Sequence, residues 1–183
     1  SSYAFLIQPA PTSLRELAPE RTVYVSGLSK VVGGGVRFGF LIAPQQHITV
    51  LETTLRAISW GDSALIASLC GRWLEDGTVA RMEGEKRLDA QARQAIAREV
   101  LHGLPLVGHQ GSYFVWLVLP TEVRADQLAC LLASKNILVA TSEAFAAATS
   151  YPHAIRLSMG NVDHTVLRAA LHTVRQEIEH FPV

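Results

Sequence analysis

Two runs rich in β-branched and aromatic residues, RTVYVSGLS and VRFGFLIAP, flank a short loop that holds Lys30 and three consecutive glycines, Gly33, Gly34 and Gly35. Runs of this length predict strands, the first ending at Lys30 and the second stopped by Pro44. Their nearly continuous apolar character is that of strands in a sheet covered on both faces. The loop between them is either a flexible hairpin connection or a backbone surface that something must approach closely. Hydrophobic residues make up 49% of the 183-residue chain and charged residues only 17%, so packed structure is expected throughout. The length allows one domain or two small ones.

Downstream, apolar positions at Ile48, Leu51, Leu55 and Ile58 give a helical period, broken at Trp60-Gly61-Asp62-Ser63. Asp62 or Ser63 is the expected N-cap of a second helix over ALIASLCGRWLEDG. A third and more polar helix is expected over 83–102, with Gly103 just past its end. Upstream, residues 3–8 read as a strand end, followed by a Pro-rich connection with a helical turn at 14–17. From 112 onward strands at 112–120, 137–143 and 154–160 alternate with helices at 124–136 and 162–181, the pattern of a small sheet with helices packed on it. The organisation predicted is an α/β chain in three parts: 1–45 carrying the lysine loop, helices over 46–82, and a small α/β domain over 83–183.

Lysine plus arginine equals aspartate plus glutamate, 16 of each, which removes the electrostatic argument for a nucleic-acid or membrane-surface module. No apolar run approaches the roughly 20 residues that span a bilayer, and the location expected is the cytoplasm. Cys70 and Cys130 lie in apolar helical stretches without metal-site spacing and are expected to be buried thiols. The seven histidines are scattered and read as surface residues, with no metal site expected.

A lysine at the close of a buried strand would be desolvated, which frees a neutral amine able to attack a carbonyl carbon. Glycines after it let backbone N–H groups approach an anion, and Arg37 adds a planar fork for phosphate. These parts describe a site for a phosphorylated aldehyde, with pyridoxal phosphate the candidate. Taken alone, the same residues also suit a solvated surface turn.

The run YVSGLSKVVGGGVRFGFLIAP resembles the lysine segment of fold-type-I aminotransferases of classes I and II. GSYFVWLVLP, NILVATSEAF and AIRLSMG are similar, in the same order, to three later segments of that family. The resemblance covers nearly the whole chain and implies the C-terminal portion of a pyridoxal-phosphate-dependent transferase-like fold. It implies that Lys30 is the catalytic lysine joined to pyridoxal phosphate and that Arg37 grips the phosphate, with Ser29 and Ser26 as further phosphate-side groups. Tyr3 would face the phenolic oxygen of the cofactor, and Arg156 would pair with the α-carboxylate of an amino acid. Where the family carries Ser or Thr three residues before the lysine, this chain has Gly27, with the hydroxyl one place earlier at Ser26.

The family's ring-nitrogen aspartate would fall just ahead of Ser1, and the chain opens without an initiating Met, so it reads as a piece of something longer. The resemblance also implies further strands against which residues 3 to 44 pack. Arginine at seven residues past the lysine is the spacing of MocR-type regulators of the GntR superfamily and of their 2-aminoadipate aminotransferase relatives. Such regulators join a winged helix-turn-helix to an aminotransferase-like domain. The expectation is therefore the effector-binding part of a bacterial transcription regulator, a homodimer responding to an amino acid or pyridoxal-phosphate-type effector, touching DNA only through a domain outside this chain. The alternative is the C-terminal half of an aminotransferase.

Overall fold

The computed structural model describes residues 4–7, 9–59, 63–148 and 151–181. The chain divides into two compact units, Ser1–Arg87 and Leu88–Val183.

In the first unit a short 3-10 helix, Ala4–Leu6, stands where a strand end was expected, with Leu6 turned inward and buried. Helix α1 (Leu14–Leu17) is capped by Ser13, whose hydroxyl accepts from the Glu16 N–H. Strands β1 (Tyr24–Gly27) and β2 (Gly39–Ile42) pair antiparallel, with Tyr24 opposite Ile42 and Gly27 opposite Gly39. They form a two-stranded ribbon rather than strands covered on both faces, and Val25 is 66% exposed. An apolar run reports what a strand can bury, and the cover for this ribbon is not supplied by the described residues. Helix α2 (Gln45–Ile58) likewise buries none of its residues and leaves Val50, Leu55 and Ile58 exposed.

Helix α3 (Ala64–Glu75) starts at Ser63, whose hydroxyl accepts from the Ile66 N–H; the alternative cap, Asp62, lies outside the described residues. Gly77, at φ +80°, ends the connection after α3, in a conformation that L side chains rarely adopt. Asp76 accepts from the Thr78 N–H and so starts α4 (Thr78–Val100) five residues earlier than the polar pattern from Glu83 suggested. That bond holds the Asp76 carboxyl below the usual carboxylate range. The core of this unit gathers Leu28, Val31, Cys70 and Val79. Cys70 is fully buried, and desolvation pushes its thiol up.

The second unit is a four-stranded antiparallel sheet in the order β3-β4-β6-β5, formed by β3 (Leu106–Val107), β4 (Phe114–Val118), β5 (Ala140–Thr141) and β6 (Ala154–Ser158). Its N-terminal edge, β3, only two residues long after Pro105, is a strand beyond the three expected for this unit. Helices α5 (Ala125–Ser134) and α6 (His164–Glu179) complete it. Side chains alternate across β4 and β6. Val115, Leu117, Ile155 and Leu157 enter the core with Leu128, Leu132, Leu171 and Val174 from the helices, while Phe114, Trp116 and Arg156 occupy the other face, only part-buried.

Asp163 caps α6 by accepting from the Val166 N–H, and Gly103, at φ +87°, follows α4 as expected. Arg175 of α6 donates to the carbonyls of Val100 and His102, so Arg175→Ala should cost roughly 1–2 kcal/mol in a urea melt. Cys130 is exposed on α5, against expectation, because Leu128 and Leu132 take the inward face and leave position 130 on the other side of the helix. No described helix is long and apolar enough to cross a membrane.

Candidate functional site

The lysine loop is shaped by two buried anchors. Leu28 and Val31 are each about 95% withdrawn from solvent, and the turn between them closes with Val31 N–H and Val32 N–H donating to the Leu28 carbonyl. With those two positions turned inward, Ser29 and Lys30 face a cleft of about 410 Å³, which Ser26, Gly27 and Arg37 also line. The structure therefore brings Ser26, Ser29, Lys30 and Arg37 together.

Lys30 itself is exposed, three residues beyond the end of β1. The desolvated strand-end amine inferred from the sequence is not what these residues build, because the anchors claim the core and push the lysine outward. Its carbonyl accepts from Lys86 Nζ at 2.9 Å, tying the loop to α4. The Ser29 hydroxyl donates to the Val36 carbonyl at 2.6 Å and spans the glycine triplet. Its hydrogen is committed to fastening the loop, which leaves Ser26 as the hydroxyl better disposed toward an anion. Tyr3 lies outside the described residues.

Gly27 explains its own departure from the pattern. A Cβ there would come within 2.8 Å of the Phe38 carbonyl oxygen, where the Leu28 N–H already donates to the same carbonyl. Gly27→Ser should therefore weaken the β1–β2 ribbon by about 1–3 kcal/mol, read as a lower urea midpoint, rather than restore a useful hydroxyl.

In the second unit Arg156 projects from β6 with its guanidinium between two rings, 4.5 Å from the Phe145 centroid and 4.9 Å from that of Phe114. Phe145 meets Trp116 edge-on at 5.3 Å. The Arg156 Nε is buried without a hydrogen-bond partner among the described residues, so this N–H lacks the acceptor that buried donors require.

A third cluster escaped the sequence reading. Asp89 on α4 accepts from Arg93 Nε at 2.8 Å and from the Tyr113 hydroxyl at 2.9 Å. Its other oxygen lies 3.0 Å from His164 Nε2. Arg93 also donates to the carbonyls of Met159 and Val162, at 2.6 Å each. Burial pushes the Asp89 carboxyl up, but hydrogen bonds from Arg93, His164 and Tyr113 with the Arg93 charge outweigh it, and the net shift is downward. Only the i, i+4 spacing of Asp89 and Arg93 was visible beforehand. Among the described residues no group of three or more His, Cys, Asp or Glu side chains is placed to hold a metal ion.

The pattern of the family "Aminotransferase class I and II" matches residues 4–174, nearly the full length. The chain belongs to that family. Within the class I and II aminotransferase family and its relatives, it is 26% identical over 165 residues to the HTH-type transcriptional regulator YdeF of Bacillus subtilis, covering 87% of this chain and 35% of that protein. It is 27% identical over 174 residues to the HTH-type pyridoxine biosynthesis transcriptional regulator PdxR of Corynebacterium glutamicum, covering 93% and 38%. It is 26% identical over 159 residues to the 2-aminoadipate transaminase of Thermus thermophilus, covering 82% and 40%. The chain thus spans well under half the length of these relatives. Among solved structures, the kynurenine aminotransferase of Pyrococcus horikoshii superposes with a TM-score of 0.84 at 18% identity, covering 100% of this chain and 47% of that one. The α-aminoadipate aminotransferase LysN of Thermus thermophilus does so with 0.81 at 20%, covering 98% and 49%. The fold is that of the aminotransferases.

Proposed function

We propose that this chain is the C-terminal part of an aminotransferase-like, effector-binding domain of a transcription regulator, and that it holds pyridoxal phosphate through Lys30 and Arg37. The observation that carries the cofactor reading is the shared cleft, where an amine and a guanidinium seven residues apart line one wall. The structure fits the group in its donor chemistry: a primary amine for the aldehyde, a bidentate cation and the Ser26 hydroxyl for the phosphate, and a strand held open at Gly27. When bound, pyridoxal phosphate supplies an electrophilic aldehyde and an electron-withdrawing ring. Lys30 presents its amine, Arg37 orients the anionic end, Ser29 keeps the loop closed, and Arg156 offers its guanidinium edge to an amino-acid carboxylate. The matches to two HTH-type regulators over 87% and 93% of this chain support the regulator reading. DNA contact would belong to a part of the protein outside this chain, and the regulator would work as a cytoplasmic homodimer.

The test uses the intact protein. Pyridoxal phosphate should produce visible absorption that Lys30→Ala removes; an unchanged chromophore in that variant would overturn the lysine assignment. Arg37→Ala should loosen pyridoxal phosphate about 10–100-fold while leaving pyridoxal, which lacks the phosphate, unaffected. Equal losses for both would sink the phosphate role.

The match to a transaminase supports the second reading, in which Lys30 Nζ moves a proton at the substrate α-carbon. A basic helix-turn-helix segment of about 70 residues in the reading frame ahead of this chain, with DNA retention that changes on adding an amino acid, favours the regulator; turnover of amino acid to keto acid favours the enzyme.

A further inference from the structure

Beside Arg156, on the face of the sheet turned away from the core, lies an open cleft of about 280 Å³ lined by Val107, Trp116, Phe145, Tyr151 and their apolar neighbours. Arg156 is not one of its lining residues, but two that are, Trp116 and Phe145, adjoin the guanidinium. Arg156 stands directly opposite Trp116 in the β4–β6 pair, and Phe145 contacts both, one by its face and the other edge-on. The Phe114 and Phe145 rings lie 4.9 Å and 4.5 Å from the guanidinium carbon, and on its Nε edge an N–H is buried without a hydrogen-bond partner among the described residues. That edge matches a planar carboxylate.

We propose that this cleft receives the bulky apolar or aromatic side chain of an amino or keto acid whose carboxylate rests on Arg156. The proposal builds on the reading of Arg156 as a carboxylate site and adds the class of ligand. A void of about 150 Å³ lined by aliphatic side chains already accepts a benzene ring, so the space suffices for an aryl group. The lining is almost wholly apolar, and Ser142 and the Tyr151 hydroxyl are its few polar groups. A second carboxylate placed there would lose its water without gaining a partner, which selects against acidic side chains. The edge-on rings of Trp116 and Phe145 extend the aromatic surface that a ligand ring would join.

The experiment is a nuclear magnetic resonance titration of the full 183-residue chain with L-phenylalanine, L-alanine and L-glutamate in turn. L-Phenylalanine should bind at least about tenfold tighter than L-alanine, and L-glutamate no tighter than L-alanine. Trp116→Ala should bring the first two within about a factor of three of each other. Tyr151→Ala, at a position 37% exposed, repeats the test at a site that the fold does not depend on, and far-ultraviolet circular dichroism checks both variants. Arg156→Gln should abolish binding of all three. If Arg156→Gln does so but the L-phenylalanine advantage is absent or survives both cleft variants, the carboxylate reading stands and the cleft proposal falls. If Arg156→Gln leaves binding unchanged, or the unaltered chain binds none of the three, both fall.

Discussion

Replacing Arg93 with alanine should lower the unfolding free energy of the second unit by about 2–4 kcal/mol, the cost of leaving two carbonyls without their donor and a part-exposed carboxylate without its cation. Arg93 is 8% exposed, and its three hydrogen bonds reach Asp89, Met159 and Val162. Alanine would strand two carbonyls at the entry to α6 and leave the Asp89 carboxylate without its closest cation. Lysine would not restore them, since one ammonium cannot reproduce a fork that serves a carboxylate and two carbonyls at once. Urea melts at neutral pH measure the loss; a change below 1 kcal/mol would show that the cluster only decorates the helix.

The same cluster sets an acid dependence of known sign. The folded-state pKa of Asp89 is depressed, so its contribution is fully present above the ordinary carboxylate value near pH 4 and drains away as pH falls through the depressed one. In Asp89→Asn that part of the acid loss disappears, and the difference in stability between pH 7 and pH 3 narrows. A wider difference would reverse the assignment.

The second large effect belongs to two neighbours in β4. Leu117→Ala should cost about 3–4 kcal/mol, whereas Val118→Ala should cost less than about 1 kcal/mol. Leu117 is fully buried against the helices, while Val118 sits half-buried on the opposite face and lines the aromatic cleft. One residue along a strand exchanges one face for the other. Equal effects on the urea midpoint would mean that both faces carry the fold, which would remove the outer face as a place for a ligand.

Local features were readable from the residues alone. The β-branched runs around the lysine, the helix start at Ser63, the left-handed Gly103 and the strand-helix alternation after residue 112 all follow from short-range preferences. The cleft shared by Lys30 and Arg37 was foreseeable because seven residues across a tight loop return the chain to its starting point. What the sequence hid depends on distant partners. Leu28 and Val31 expel Lys30 toward solvent only because Cys70 and Val79 wait beneath them. The Asp89 cluster joins residues up to 75 positions apart, and the rings around Arg156 come from β4 and from a 3-10 turn, Ser142–Phe145, beyond β5. Strand β3 was too short to have a period, and Cys130 was misjudged because alanines and leucines on both sides of α5 blur its inward stripe.

The two cysteines make the lysine loop experimentally audible. A maleimide should modify Cys130 at once on the folded protein, while Cys70, sealed beneath Leu28 and Val31, reacts only when that packing parts. The ratio of the two labelling rates is then a built-in clock for how often the floor under Lys30 gives way, and a bound ligand that steadies the loop should slow it.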